Sequence, residues 1–487
     1  MTSMTRRSFL ELGFAGTAGA HLVASKLRAA DRDRGAIGQG PFAELGLRCA
    51  GEIKPVRSSE IQASPLSVGF ETLDRKHFDP ARTYPHLAKL GAKWARCQTG
   101  WCRCEPERGK YDFRWLDDVV DGLLKIGVQP WFNLGYGNRL YTPEAEDEAA
   151  VGWAPVFDEN PRKAWLRFTG HLAEHFKDRV RHWEIWNEPN IKTFWRPEKP
   201  DPVDYVRLVT ITVPEIRKQI PQAVIIGGAF AGIPMSYIDG CLAAGLTDHV
   251  DKISYHPYRA VPEKNYASQI KALRGRVGKY NPRVKLWQGE NGCPSKGGPG
   301  SVGALSKLDW TEQRQAKWLL RRILTDLRLG VELTSYFHTV DLVGYRGATN
   351  YKGLLRGTEY TPKPAYFAYQ CLCALFDSAT KKTDVRPEPA GPDLERLQHA
   401  VFARRGKAMV AWWYPANLLK DWTPRRITVK IPLAEQAGLD APVLIDPMSG
   451  RVFRFQAVRR EQGSVTLADL PLLDYPLLVT DAAAAGV

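Results

Sequence analysis

Between residues 64 and 380 the chain alternates short apolar runs with longer segments in which apolar residues recur three or four positions apart, as at Trp115, Val119, Leu123 and Ile126. The apolar runs have the length and composition of buried strands. They are Leu66–Phe70, Lys93–Cys97, Val128–Leu134, Val180–Trp186, Val224–Gly228, Lys252–His256, Val284–Gln288 and Leu333–His338. Strand–helix alternation indicates a parallel sheet, and eight repeats predict a closed (β/α)8 TIM barrel. An open doubly wound sheet is the alternative, but the Gly-rich fingerprint that usually follows its first strand is missing from the sequence.

After about residue 380 the pattern changes to short apolar runs separated by turn signals such as Arg405-Gly406 and Ser449-Gly450. This predicts a small antiparallel β-sandwich over residues 381–487, following a barrel over residues 61–380. Residues 31–60 are a separate N-terminal segment, for which we consider a strand contributed to the sandwich.

The first 30 residues are predicted to be an export signal. Thr5-Arg6-Arg7-Ser8-Phe9-Leu10 resembles a twin-arginine motif, and a weakly apolar stretch and the small residues Ala29-Ala30 follow it. A chance Arg-Arg pair is the alternative. No apolar run reaches 18 residues, so we expect no membrane span in the mature protein. We expect a periplasmic or extracellular location.

Composition narrows the classes of partner. The chain has 68 Lys and Arg against 53 Asp and Glu, a net charge of +15, which is compatible with nucleic-acid binding, an acidic substrate or solubility alone. The basic residues are scattered without a basic run interleaved with aromatics, so nucleic acid is disfavoured. The eight Cys lack Cys-x-x-Cys spacing, so we expect no metal site and no cofactor. A disulfide from Cys102 or Cys104 to Cys293 is considered, because both segments should lie at one barrel mouth.

Two glutamates end predicted barrel strands. The fourth strand ends at Glu188 and the seventh at Glu290, and active sites of such barrels lie where strands end and loops begin. A carboxylate that closes a buried strand is costly unless it is paired or used. Cleavage of a glycosidic bond needs two carboxylates, one to protonate the leaving oxygen and one to attack the anomeric carbon or activate water. A metal-dependent barrel hydrolase and a non-catalytic carbohydrate-binding barrel are the competing interpretations.

Neighbouring residues extend the candidate site. Strand alternation puts Glu184 and Glu188 on one face, so Asn187 reaches the pocket only if the strand bulges near Trp186–Glu188. Glu184 would then lie deep in the barrel and need a cation. Arg96 on the second strand is the predicted partner, and we place it among the residues around the substrate; an ordinary buried ion pair is the alternative.

Aromatic and histidine side chains are the other substrate-binding candidates. His256 and Tyr258 lie two residues apart after the sixth strand, so they share a face. A Tyr258 hydroxyl beside the nucleophile would keep it ionised, and His256 would contact the acid/base or the sugar. Trp101 and Trp131 are candidate platforms for a sugar ring. A structural histidine and ordinary core packing are the alternatives.

Several of these motifs resemble glycoside hydrolase clan A, a group of retaining enzymes on a (β/α)8 barrel. The resemblance rests on Trp186-Asn187-Glu188-Pro189, on the strand-ending Glu290, on His256-Pro257-Tyr258 and on the loop Gly100–Phe113. The chain is most similar to family 39, whose β-xylosidases and α-L-iduronidases carry a β-sandwich after the barrel. The resemblance implies that Asn187 hydrogen-bonds the sugar 2-hydroxyl and that Tyr258 holds Glu290.

The chain departs from the clan at two places. Many members carry a Trp at the end of the eighth strand, where this sequence has Tyr336-Phe337-His338-Thr339; we include His338 among the substrate-binding candidates. Cys102 and Cys104 are unusual in the second-strand loop. Both departures concern the identity of the bound sugar rather than the reaction.

The sequence thus predicts a retaining glycosidase that acts by double displacement, with Glu188 as acid/base and Glu290 as nucleophile. The expected partner is a carbohydrate, an oligosaccharide or polysaccharide. A β-xylosidase-like activity is the first expectation. A hydrolase of uronic-acid or sulfated glycans is the alternative, because of the positive charge.

Overall fold

The computed structural model describes residue 42, residues 47–433 and residues 438–487. A first strand, β1 (Arg48–Glu52), precedes eight parallel strands that close into a barrel in sequence order. These are β2 (Leu66–Gly69), β3 (Trp94–Gln98), β4 (Gln129–Leu134), β5 (His182–Ile185), β6 (Val224–Ala231), β7 (Lys252–His256), β8 (Lys285–Asn291) and β9 (Leu333–Tyr336). Val68 of β2 pairs with Tyr336 of β9 and closes the sheet. The predicted barrel is confirmed, and every barrel strand overlaps one of the predicted apolar runs.

Amphipathic helices cover the barrel. They are α1 (Tyr84–Leu90), α2 (Trp101–Cys104), α3 (Arg114–Lys125), α4 (Glu159–Phe176), α5 (Pro202–Gln219), α6 (Met235–Ala243), α7 (Tyr266–Tyr280), α8 (Glu312–Arg328) and α9 (Pro364–Leu375). In α3 the residues Leu116, Val119, Val120 and Leu123 are buried, which is the stripe that a 3.6-residue period presents to a core. None of the helices in the described ranges is long and apolar enough to cross a bilayer.

A β-hairpin that the sequence did not predict follows the last barrel strand. It consists of β10 (Leu342–Tyr345) and β11 (Ala348–Asn350), paired antiparallel. Arg346 lies in its turn in the left-handed region, at a φ of 51°, and its side chain is exposed. The hairpin folds over the barrel mouth, where its residues Tyr345, Arg346 and Asn350 line the pocket.

Antiparallel strands after residue 379 form two further sheets. They are β12 (Thr380–Lys382), β13 (Glu388–Ala390), β14 (Gln398–Arg404), β15 (Lys407–Trp413), β16 (Arg425–Pro432), β17 (Pro442–Asp446), β18 (Arg451–Arg454), β19 (Arg459–Glu461), β20 (Ser464–Leu472) and β21 (Leu477–Asp481), followed by the short helix α10 (Ala482–Ala485). One sheet has the order β1-β18-β17-β21-β15-β14-β12 and the other β13-β16-β20-β19. Buried residues from both sheets share one apolar core, so the predicted antiparallel sandwich is confirmed.

The N-terminal segment meets this sandwich. Strand β1 pairs antiparallel with β18 at the edge of the larger sheet, with Arg48 opposite Arg454. The predicted export signal lies outside the described residues.

Helix α8 joins the barrel to the sandwich through a buried arginine. Arg321 forms an ion pair with Glu263 at 2.6 Å, and the two side chains are 0% and 5% exposed. It also donates to the Ala416 carbonyl at 2.8 Å, while the Trp413 indole donates to Glu263 at 2.7 Å. A buried charge is stable only when it is paired, so this cluster fixes the sandwich against the barrel wall.

We predict that Arg321→Met lowers the free energy of unfolding by about 3–5 kcal/mol, because it leaves the Glu263 carboxylate buried without its cation. The matched control is Lys163→Ala, which breaks an exposed pair with Glu159 of 2.6 Å and should change stability by less than about 1 kcal/mol. Urea unfolding of the three proteins measures the difference. Equal midpoints for Arg321→Met and the control would contradict this role for Arg321.

Candidate active site

A pocket opens at the carboxyl ends of the barrel strands. Its volume is about 220 Å³, below the roughly 300–1,000 Å³ typical of pockets for drug-sized ligands, so it accommodates one small ring. The side chains that bear on its chemistry are Glu71, Asn187, Glu188, Tyr258, Glu290 and Lys352. The two predicted glutamates therefore share one cavity.

An irregular backbone after β5 brings Asn187 and Glu188 to the same pocket. Trp186 and Glu188 have positive φ values of 69° and 49°, a conformation that costs a non-glycine residue roughly 1–2 kcal/mol. The left-handed residues interrupt the alternation of side chains along the strand. They have the effect that we expected of a β-bulge, which is to let Asn187 and Glu188 face the same pocket. Asn187 Oδ1 accepts from Arg96 at 2.9 Å, and its Nδ2 donates to the Tyr136 hydroxyl at 2.9 Å. Because an amide nitrogen carries two hydrogens, Nδ2 can also donate to a ligand.

Glu290 lies near the end of β8, where two donors hold its carboxylate. Arg96 Nη1 donates to Oε2 and the Tyr258 hydroxyl donates to Oε1, each at 2.8 Å. Hydrogen bonds to charged groups contribute roughly 1.5–3 kcal/mol, so these two contacts fix the position of the carboxylate. The preceding residue, Gly289, allows a close approach to β7, since a Cβ there would lie 2.1 Å from Ser254 Oγ.

Glu188 occupies a different environment. Its carboxylate oxygen Oε1 is 2.9 Å from His256 Nδ1. Burial raises the pKa of Glu188 to about 7, although Arg96 and Arg346 oppose the shift. Burial also lowers the pKa of His256 to about 4, so this imidazole is neutral near pH 7. In one tautomer a neutral His256 accepts a hydrogen bond from a protonated Glu188. In the other tautomer it donates a hydrogen bond to the Glu188 carboxylate.

The two carboxylates lie close together. One oxygen of Glu188, one oxygen of Glu290 and a ring nitrogen of His256 all lie within 4.8 Å of one another. These atoms are near enough to share a metal ion, but each of the three side chains already has a partner. Glu188 and His256 pair with each other, and Glu290 accepts from Arg96 and Tyr258. A carboxyl group whose pKa is raised to about 7 by burial therefore faces a carboxylate that accepts two hydrogen bonds.

Arg96 supports the pocket from behind. Its side chain is 0% exposed and forms ion pairs with Glu184 at 2.5 Å, Glu290 at 2.8 Å and Glu71 at 3.1 Å. The predicted pairing with Glu184 is present. Arg96 and His256 do not line the pocket. Their nitrogens contact Glu290 and Glu188 instead, and for His256 this contact with Glu188 is one of the two that the sequence predicted.

The predicted tryptophan platforms are wrong. Trp101 is 1% exposed, stacks on Tyr141 with centroids 5.3 Å apart and donates to Glu105 at 2.6 Å. Trp131 is fully buried in the barrel interior, where its indole donates to Ser67. Both indole rings pack in the core, so neither can form a platform for a sugar ring.

The substrate-binding prediction for His338 is also wrong. His338 is buried, with Nε2 3.2 Å from the Glu71 carbonyl and Nδ1 accepting from the Val340 amide at 3.3 Å. It therefore fixes the loop after β9. The considered disulfide is also contradicted, because Cys102, Cys104 and Cys293 are free thiols.

Four charged residues of the pocket were missed: Glu71, Arg75, Arg346 and Lys352. Glu71 directly follows the predicted apolar run Leu66–Phe70, so the strand-ending signal that identified Glu188 applied to it as well. Burial raises its pKa to about 8, with Arg96 opposing and Glu290 adding to the shift. Lys352 and Arg346 come from the hairpin region, which has no periodic pattern that would have placed them at the mouth.

Comparisons with known proteins agree with this architecture. The family model described as glycosyl hydrolases family 39 matches residues 93–280. A β-xylosidase of Geobacillus stearothermophilus is 27% identical over 161 residues, which is 30% of this chain and 31% of that protein. A β-xylosidase of Caldicellulosiruptor saccharolyticus is 30% identical over 300 residues, or 54% and 57%. The chain thus spans from about a third to just over half the length of these two relatives.

Solved structures show the same fold. A family 39 glycoside hydrolase from the gut symbiont Bacteroides cellulosilyticus WH2 has 21% identity and a TM-score of 0.62, covering 86% of this chain and 80% of the other. A monomeric β-xylosidase from Caulobacter crescentus CB15 has 18% identity and a TM-score of 0.57, with coverages of 89% and 97%. The match to glycosyl hydrolases family 39 thus covers residues 93–280, and the solved structures show that the fold of this chain is shared beyond that range.

Proposed function

We propose that the chain is a retaining β-glycosidase in which Glu188 is the acid/base and Glu290 is the nucleophile. The observation that carries the proposal is the pair of carboxylate oxygens within 4.8 Å of each other in one pocket. Retaining enzymes place their carboxyl groups about 5–5.5 Å apart, whereas inverting enzymes need roughly 6.5–9.5 Å to admit a water. The short separation favours direct attack by a carboxylate.

In the first step Glu290 attacks the anomeric carbon while Glu188 gives its proton to the leaving oxygen. The carbon–oxygen bond to the leaving group breaks, an ester forms between the sugar and Glu290, and the alcohol departs. Arg96 and Tyr258 hold the attacking carboxylate, and burial raises the pKa of Glu188 to about 7, so that Glu188 can donate a proton near neutral pH. The difference between the two environments assigns the roles.

In the second step Glu188 acts as base. Its carboxylate takes a proton from water, the water oxygen attacks the anomeric carbon, and the ester to Glu290 breaks, which releases the sugar with retained configuration. The neutral His256 at 2.9 Å can serve both protonation states of Glu188 through its two tautomers.

The first substrate class is a neutral β-linked sugar such as a β-xyloside. The curated relatives that match this chain include two β-xylosidases and a β-glucosidase of Phanerodontia chrysosporium. The small volume of the pocket suits a single ring.

A second candidate, a uronic-acid or sulfated glycoside, is favoured by one observation. Lys352 is 1% exposed, yet its ammonium has one hydrogen bond, to Asn350 Oδ1 at 3.3 Å, and no ion pair within the described residues. Burial lowers its pKa to about 8, while Cys293 and Glu290 oppose the shift, so it is a cation at pH 7. Arg346 also lines the pocket without an ion pair in the described part of the chain. Two such cations suit a carboxylate or sulfate on the sugar.

We also propose that the protein is exported from the cytoplasm. The twin-arginine motif at Arg6-Arg7 supports it, since such signals carry folded proteins out of the cytoplasm.

We predict opposite stereochemical outcomes for two variants. Glu290→Ala should hydrolyse none of a panel of aryl β-glycosides, and added azide should enter the vacated space and give the inverted glycosyl azide. Glu188→Ala should lose about 10²–10⁴-fold on poor leaving groups and give the retained azide. Nuclear magnetic resonance of the products distinguishes the two. Turnover by Glu290→Ala equal to that of the wild type would end the nucleophile assignment.

The pH dependence follows from Glu188. Its pKa of about 7 belongs to the acid that must be protonated, so kcat/KM should fall about tenfold per pH unit above pH 7 and hold below it until the nucleophile is protonated. A 2,4-dinitrophenyl glycoside, whose leaving group needs no proton, should show a weaker fall. Stopped assays between pH 5 and 9 measure both profiles. A flat profile for a poor leaving group would count against Glu188 as the acid.

Lys352→Met separates the two substrate classes. If the sugar is anionic, the variant should lose at least about 30-fold in kcat/KM on the acidic glycoside, because truncating one partner of a buried charge pair costs about 2–5 kcal/mol. Its activity on 4-nitrophenyl β-D-xylopyranoside should change far less. The acidic class would be ruled out if the wild type hydrolyses the xyloside but not a β-glucuronide. It would also be ruled out if the wild type hydrolyses both and Lys352→Met lowers kcat/KM equally on the two substrates.

A further inference from the structure

Strands β5 and β6 separate below the loop that carries Glu188. Their parallel pairing covers residues 224–226, the first three residues of β6, whereas β6 continues to Ala231. Beyond the paired residues the Tyr205 hydroxyl bridges the two strands, since it accepts from the Gly228 amide at 2.6 Å and donates to the Ile185 carbonyl at 3.1 Å. Side chains therefore take over the backbone pairing toward the carboxyl end of β6.

Asn190 makes the last of these side-chain bridges. Its Oδ1 accepts from the Ala231 amide at 2.8 Å, and its Nδ2 donates to the Ala231 carbonyl at 3.0 Å. A carboxamide offers the same donor and acceptor as a peptide group, so this side chain occupies the place of a strand residue beside Ala231. The Glu188 amide donates to the Ala229 carbonyl at 2.9 Å. The loop after β5 is thus tied to the end of β6 at two positions.

The same end of β6 holds the histidine that contacts Glu188. Ala231 pairs with His256 in the register of β6 and β7, and the Gly232 amide donates to the His256 carbonyl at 3.0 Å. His256 Nδ1 lies 2.9 Å from Glu188 Oε1. Glu188 and His256 therefore belong to different segments, and the distance between them depends on how each segment is fixed to β6.

The backbone at Glu188 also needs an external constraint. Its φ of 49° lies in a region that a non-glycine residue keeps only where the surrounding structure over-determines it. Asn190 follows two residues later, and its two hydrogen bonds to Ala231 oppose a return of the loop to a relaxed conformation. Loss of both would let Glu188 move away from His256.

We propose that Asn190 is a positioning residue that holds the Glu188 carboxyl group beside His256, at the place from which it gives its proton to the leaving oxygen. This inference rests on the proposed function, in which Glu188 is the acid/base. Asn190 does not line the catalytic pocket, so it acts through Glu188 and not on the sugar. A displacement of about 1 Å can cost about 10²-fold in rate when it misplaces a reacting group.

The test separates proton transfer from the rest of catalysis by the choice of leaving group. Phenyl β-D-xylopyranoside needs the proton of Glu188, whereas the 2,4-dinitrophenyl glycoside needs none. We expect Asn190→Ala to lower kcat/KM on the phenyl glycoside about 10- to 100-fold. On the dinitrophenyl glycoside it should stay within about threefold of wild type, because kcat/KM reports only the steps up to the glycosyl-enzyme. A general loss of folded protein would lower both values by the same factor.

Asn281→Ala is the matched control. Asn281 is half-buried like Asn190, its Nδ2 donates to the Thr247 carbonyl at 3.2 Å and its Oδ1 accepts from the Arg283 amide at 3.1 Å. It precedes β8, at the end of the barrel opposite the pocket, so its loss should affect the two substrates equally. A second variant, Asn190→Asp, keeps the acceptor for the Ala231 amide and loses the donor, and should give an intermediate loss on the phenyl glycoside alone.

The outcomes distinguish this inference from the proposed function. Equal losses on the two substrates, or no loss on either, would overturn the role of Asn190; if Asn190→Ala does not fold, the same comparison with Asn190→Asp decides. Wild-type protein that cleaves neither glycoside would contradict the proposed function with xylosides. Crystal structures of the wild type and the variant then decide the positioning. The distance from Glu188 to His256 should lengthen beyond roughly 3.5 Å, and an unchanged distance would overturn the inference.

Discussion

The pairing of one buried guanidinium with three carboxylates organises the interior of this barrel. Arg96 contacts Glu184, Glu290 and Glu71 and has no exposed surface. Separate burial of so many acidic groups would be unfavourable. Because Arg96 approaches Glu290 at 2.8 Å and Asn187 at 2.9 Å, the same cation that stabilises the interior also positions the proposed nucleophile and the residue beside the proposed acid/base. In the proposed mechanism, structural and catalytic demands therefore meet at one side chain.

The chemistry then depends on an unequal distribution of that positive charge. Glu290 receives direct hydrogen bonds from Arg96 and Tyr258, whereas Glu188 has a neutral imidazole as its partner. Two carboxylates at this separation would repel each other if both were ionised. Because burial raises the pKa of Glu188 to about 7, this group can carry a proton near neutral pH, while Glu290 is held by two donors; this is the arrangement that a double displacement needs at its start.

The barrel and its two glutamates were predictable from the sequence because both are marked by patterns within a few consecutive residues. Buried strands give continuous apolar runs, and a carboxylate at the end of such a run is conspicuous. Glu71 carries the same signal and was overlooked. Lys352 and Arg346 could not have been found, since the hairpin that delivers them is set by tertiary packing. Trp101 and Trp131 show the opposite error: an aromatic residue near a site has no sequence signal that tells a sugar platform from core filling, and burial decided against both.

The left-handed backbone at Trp186 and Glu188 has a consequence for how this protein would respond to engineering. Each of these residues stores conformational energy that glycine or asparagine would release. Replacing the acid/base by such a residue would relax the loop after β5 while destroying its proton-transfer group. Selection for thermostability alone would therefore favour variants that have lost their activity. A search for thermostable variants has to measure activity at every round of selection.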